Sequence, residues 1–237
     1  MLSQAWFPQN KNELEKQLKS FIKPNPKNIH GLIVPHAGYE YSGAVAGKAY
    51  SLIDKKIKRA IILGPSHQIG FYGIAKIPKI KTPLGETEII KSDIRELHGL
   101  NYEHSVFNQV PFLQFIAPEI KILPIVVGNL LEKDAEKIAE QLAKELDDET
   151  ILVISGDLSH FHSYNEAVKI DKNTIKIIED LDFKKINELD SCGLYPLLIL
   201  FHLCKLKNWK PKLIEYKNSG DVIGDKSGVV GYGSFWF

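Results

Sequence analysis

Four short stretches of this chain end in residues that bind metals or move protons. They are Val34-Pro35-His36, Gly64-Pro65-Ser66-His67, Ser155-Gly156-Asp157-Leu158-Ser159-His160-Phe161-His162 and Ser191-Cys192-Gly193. Imidazole and thiolate donors suit iron, copper or zinc better than magnesium or calcium. Two histidines and one further ligand would leave coordination positions open, as a catalytic metal site requires. His160, three residues beyond Asp157, offers an imidazole–carboxylate pair for general acid–base work. Each residue also has a plain structural reading. A histidine at a strand end ordinarily hydrogen-bonds within its loop, Asp157 can cap a turn, and a cysteine before a helix is ordinarily a small buried hydrophobe. What sets this chain apart is repetition of one pattern: an apolar run, chain-breaking residues, then a histidine.

The apolar runs are the elements that must position these groups. Leu32–Val34, Arg59–Leu63, Lys121–Val127 and Thr150–Ile154 read as short strands buried on both faces. Pro35 lacks a backbone donor and should end the first ladder, and Ser42 is expected to cap a helix of small residues running to Tyr50. Further helices are expected over residues 10–22 with Asn10 as cap, 135–146, around 167–178, and 194–206 with Pro196 in the first turn. Residues 72–90 look hairpin-like. Ile90, Ile94 and Leu97 suggest a short helix, and the helix after Glu103-His104-Ser105 should be kinked or divided at Pro111. Val229–Phe237 closes the chain as a strand. Parallel strands joined by helices deliver their carboxyl ends to one edge of the sheet, where ligands bind in such folds. The expectation is one domain over residues 1–237, a three-layer α/β/α fold with a mainly parallel central sheet.

Composition narrows the function. With 237 residues, 44% hydrophobic and 25% charged, the chain resembles an ordinary soluble globular protein. A formal charge of +1, with Arg59 and Arg95 the only arginines, argues against nucleic-acid or acidic-membrane partners and against a bidentate phosphate clamp. No Gly-x-Gly-x-x-Gly or phosphate-loop pattern occurs, so no nucleotide cofactor is expected, and no Gly-x-Ser-x-Gly elbow supports a serine hydrolase. Cys192 and Cys204 stand twelve positions apart; along a helix that is roughly 18 Å at about 1.5 Å per residue, too far for a disulfide. Both are expected as thiols, Cys204 as an inert core residue, in a cytoplasmic protein without a signal pattern or an apolar run long enough to span a membrane.

The motifs together carry a resemblance. Val-Pro-His-Ala-Gly-Tyr-Glu-Tyr-Ser-Gly at 34–43, Gly-Pro-Ser-His at 64–67, Glu-His-Ser at 103–105, Ser-Gly-Asp-Leu-Ser-His at 155–160 and Ser-Cys-Gly at 191–193 resemble the Memo family, in the family's order and over nearly the whole chain. That family is similar in fold to the class III extradiol ring-cleaving dioxygenases, which hold iron(II) on two histidines and a carboxylate. The resemblance implies His36, His67 and Cys192 as metal ligands, His160 as acid–base histidine with Asp157 in the same cavity, and Tyr39, His104 and His162 as cleft-lining groups. It implies iron(II) or copper, or else zinc. Cysteine in place of the dioxygenase glutamate is a softer, oxidisable donor and does not favour ring cleavage. Two functions follow as expectations: a metal-dependent redox enzyme of unassigned substrate, or a non-catalytic module that holds a small molecule or peptide in the same cleft.

Overall fold

The computed structural model describes residues 6–94, 96 and 98–237. The first helix, α1 (Lys11–Phe21), is capped by the Asn10 side chain, which accepts from the backbone of Asn12 and Glu13. It leads to β1 (Gly31–Val34), α2 (Tyr39–Tyr50) and β2 (Arg59–Pro65). A stretch of short strands follows: β3 (Ile74–Lys76), β4 (Ile80–Thr82), β5 (Gly85–Thr87) and β6 (His98–Gly99). The expected helix near Ile90 and Ile94 does not form over the described residues 88–94, and Leu97 and Arg95 lie outside the described residues. Pro111 does divide the next helix. Helix α3 (His104–Phe107) stops before it, and α4 (Val110–Ile116) carries it in the first turn, where its missing donor costs nothing. Then come β7 (Lys121–Val127), α5 (Glu132–Glu145), β8 (Thr150–Ser155), β9 (His160–His162) and α6 (Tyr164–Asp180). A 3₁₀ turn at Phe183–Glu188 precedes α7 (Leu194–Lys207), β10 (Lys212–Asn218), α8 (Ser219–Ile223) and β11 (Val229–Trp236).

The large sheet has the order β10-β11-β1-β8-β2-β7-β3-β6, with β9 pairing to β11. Its centre, β1-β8-β2-β7, is parallel throughout, and antiparallel β11 and β3 flank it. Alternate residues on these strands point to opposite faces, and each face has its own core. Ile33, Leu63, Ile125 and Ile154 pack under α5, α6 and α7, whereas Leu32, Ile62, Ile122 and Val153 pack under α1, α2 and α4. This is the expected three-layer α/β/α arrangement.

The start of α2 differs from expectation. The helix begins at Tyr39 with Gly38 at its cap position, so Ser42 lies inside it and its hydroxyl instead donates back to the Ala37 carbonyl at 3.0 Å. The small residues of α2 receive α1 as well as facing the sheet: a Cβ on Gly47 would stand 2.5 Å from Phe21 Cβ and 2.8 Å from its backbone.

That contact sets two effects against each other. Alanine is better than glycine inside a helix by about 1 kcal/mol, but forcing a methyl group against a fixed backbone costs about 1–3 kcal/mol. Gly47→Ala is therefore expected to lower stability by up to about 2 kcal/mol, measured by urea unfolding. A more stable variant would show that α1 yields at this crossing.

Candidate metal centre

Three neighbouring parallel strands build the site. β8 inserts between β1 and β2, with Val34 opposite Ser155 and Leu63 opposite Ile154. Asp157 therefore emerges between His36, just past β1, and His67, just past β2. His104 enters from the side, at the first position of α3, which packs on β2. The rings of His36 and His67 have centroids 5.1 Å apart, those of His67 and His104 4.4 Å, and those of His36 and His104 5.4 Å. One ligating nitrogen from each of His36, His67 and His104 lies within 4.8 Å of the others.

The far nitrogen of each ring is tied off. Glu103, wholly buried, accepts from His104 Nδ1 at 2.9 Å, His67 Nδ1 at 3.3 Å, the His67 backbone at 2.8 Å and the Ser105 backbone at 3.4 Å. Burial alone would raise its pKa, but the hydrogen bonds from His104 and His67 outweigh it and hold the carboxylate well below its usual range. His36 Nδ1 meets Ser155 Oγ at 2.9 Å. Ser155 gives its one hydroxyl hydrogen to the Ser105 carbonyl at 2.6 Å, so it accepts from His36, whose Nδ1 carries the proton. His36 Nε2 is thus a bare lone pair. Burial, then the neighbouring charges of His67 and His104, push the His36 pKa well down, which keeps the ring neutral. Carboxylate or hydroxyl partners behind each imidazole are the usual support of metal-ligating histidines.

Cys192 reaches the same nitrogen. Its Sγ lies 3.4 Å from His36 Nε2 and 3.7 Å from the Asp157 carbonyl, and it accepts from the Asp157 backbone at 3.2 Å. The Ser191–Gly193 turn gets this close because glycine meets glycine: a Cβ on Gly193 would stand 3.1 Å from Gly156 Cα. Burial, and then the charge of Asp157, raise the thiol's pKa, so it is protonated while no metal is bound. Cys204 is a core residue of α7 whose pKa burial pushes up to about 12.

Asp157 is buried, with Oδ1 accepting from the His36 backbone at 2.8 Å and Oδ2 at 3.9 Å from His36 Nε2. Burial raises its pKa against the opposing pull of that bond and of His160. His160 is half-buried on β9, beside β11, close enough to act electrostatically on both His36 and Asp157, and is not one of the three imidazoles whose donor atoms converge. His162 Nε2 pairs with Asp190 at 3.0 Å, where both side chains are more than a third exposed. Tyr39 is buried among Phe7, Phe21 and Phe112, and its hydroxyl donates to the Asn108 carbonyl at 2.7 Å.

Comparison with known proteins agrees with this geometry. The family model for Memo-like proteins matches residues 2–236. The chain belongs to the Memo family. Similar proteins named MEMO1 family protein include one from Sulfurisphaera tokodaii, 35% identical over 98% of this chain and 96% of that protein. Those from Sulfolobus acidocaldarius (36% identical; 91% and 84%) and Archaeoglobus fulgidus (30%; 98% and 96%) are similar over comparable spans. Membership of the Memo family agrees with the α/β/α sheet and with a histidine cluster able to hold a metal ion. Glu103 is the part that sequence reasoning passed over. Its only local signal is its place before a helix-start histidine, and its contacts to His67 span 36 positions.

Glu103 makes a pH prediction. Its carboxylate stabilises the fold fully above the ordinary glutamate pKa near 4.3, and that contribution is lost as pH falls below it toward the depressed folded-state value. Glu103→Gln is expected to lose on the order of 2 kcal/mol near neutral pH, the worth of charge-assisted bonds, and to show a shallower acid limb in urea midpoints measured from pH 7 to pH 3. An acid limb parallel to that of the parent chain would mean that Glu103 is not the titrating anchor.

Proposed function

We propose that this Memo-family chain is a redox metalloprotein holding iron or copper on His36, His67 and Cys192, with His104 as an adjacent fourth donor. The observation that carries this reading is the convergence of three imidazoles, each with its Nδ1 hydrogen-bonded and each offering one nitrogen within 4.8 Å of the other two. The donor set fits. Two ligands of one tetrahedral ion, at about 2.05 Å for nitrogen and 2.3 Å for sulfur, stand about 3.5 Å apart, and Cys192 Sγ lies 3.4 Å from His36 Nε2. Mixed imidazole and thiolate donors favour copper(I), iron or zinc. Iron or copper would supply one-electron chemistry that no side chain here provides.

The chain's own residues would bind the ligand, a small molecule or a peptide, at the exposed side of the cleft and handle its protons. Burial raises the pKa of Asp157 above the usual aspartate value, the direction expected of a carboxyl that takes up a proton during a reaction. His160, beside it but outside the imidazole cluster, is the acid–base partner. Loading the site would release the Cys192 proton, because the thiolate is the ligand.

Metal stoichiometry of purified variants tests the assignment. His36→Ala, His67→Ala and Cys192→Ala should each lose most of the metal, whereas Cys204→Ala keeps it. His160→Ala should retain metal and lose about 10²–10⁴ in turnover once a substrate is in hand. Loss of metal from His160→Ala equal to that from His36→Ala would make His160 a ligand instead.

A further inference from the structure

Trp6 closes one wall of the histidine cluster. Its ring stacks on His104 with centroids 4.3 Å apart and planes 8° from parallel. Three contacts pin it there. Its carbonyl accepts from the Tyr39 backbone at 2.9 Å, its side chain hydrogen-bonds Tyr102, and the next residue, Phe7, packs on Tyr39 at 5.3 Å. The segment before α1 thus lies across the start of α2 and against the turn that leads into α3. His104 is held in its ring plane by Glu103 at Nδ1, and Trp6 restrains it from the ring's face.

We infer that Trp6 is a positioning residue for the metal centre, and that docking of this N-terminal strap and occupancy of the metal site favour one another through His104. The inference rests on the metal reading above. An imidazole bound to a metal ion carries more positive charge than a free one, and an indole face attracts positive charge. Metal binding therefore strengthens the stack. Linkage is reciprocal: if the ion holds the strap down, the strap must raise affinity for the ion by the same factor. A single aromatic contact of this kind corresponds to a factor of roughly two to ten in an equilibrium constant. A docked strap also covers the outer face of His104, so ions should leave more slowly while it is in place.

The test uses the full chain under anaerobic conditions with iron(II) alone and, separately, zinc(II) alone. Trp6→Ala should bind each ion roughly two- to tenfold more weakly, and Trp6→Phe, which keeps an aromatic face, should recover most of the loss. Either ion should slow protease cleavage before α1 in the parent chain and have no such effect in Trp6→Ala. Iron(II) should change tryptophan emission in the parent and in Trp209→Phe, because Trp209 stacks on His30 before β1, but not in Trp6→Phe. Unchanged affinity in Trp6→Ala, with metal bound normally by the parent, would overturn the strap and leave the metal centre standing. Failure of the parent to bind either ion would overturn both. Should Trp6→Ala fold poorly, Trp6→Leu, which keeps an apolar side chain without an aromatic face, replaces it in the affinity and protease measurements with the same expected outcomes.

Discussion

A single buried carboxylate organises this cleft. Glu103 collects four donors, two of them imidazole Nδ1 groups and two of them backbone N–H groups. Burying a charge without partners costs several kcal/mol, enough that a glutamate would normally take up a proton instead. Here the donors reverse that outcome and keep it anionic. The consequence runs outward from the carboxylate. His67 and His104 lose their freedom to turn, the segment after β2 is fastened to the start of α3, and both rings are held against His36.

His36 reaches the same condition by a neutral route. Tyr50 donates to Gln109, Gln109 donates to Ser155, and Ser155 spends its hydrogen on the Ser105 carbonyl. That leaves Ser155 as acceptor and fixes the His36 tautomer. The two buried carboxylates of the site are pushed in opposite directions. Glu103, rich in donors, stays charged; Asp157, poorer in them, has its pKa raised by burial. Environments that separate two acids in this way assign them different work. One is a fixed charged anchor; in the other, burial disfavours the charged form.

The parallel strands were legible in the sequence because strands buried on both faces read as continuous apolar runs, and the breakers after them marked where His36 and His67 would emerge. Helices α1, α5 and α6 were legible from their periodicity; α7 is apolar on nearly every side and was marked instead by the glycine before it and Pro196 in its first turn. What failed to show was half-exposed or non-local. β10 mixes Lys212, Leu213, Glu215 and Lys217 on a partly exposed edge strand, which leaves no apolar run to read. Ser42 looked like a helix cap, yet Gly38 takes that position because the chain turns one helical turn earlier. Tyr39 stands in the motif beside His36, but its ring is drawn into the phenylalanine cluster while its hydroxyl stays on Asn108. Glu103 and Trp6 act on residues 36 and 98 positions away in the chain, distances at which neither spacing nor composition carries information.

Cys192 shows why the protonation state of the metal-free chain matters to the chemistry. Its thiol faces a bare imidazole nitrogen and lies beside Asp157, in a place where burial and negative charge both oppose ionisation. A protonated thiol is a poor nucleophile and oxidises slowly. If the site holds a cation as proposed, the cation's charge would outweigh that of Asp157 and draw off this proton. The same charge would lower the proton affinity of Asp157 across the 3.9 Å that separates it from His36 Nε2. Cys192 and Asp157 thus share one small volume around His36 Nε2. On the metal reading proposed above, occupancy of the site would change its proton inventory, and the Cys192 thiolate would form only with the ion present.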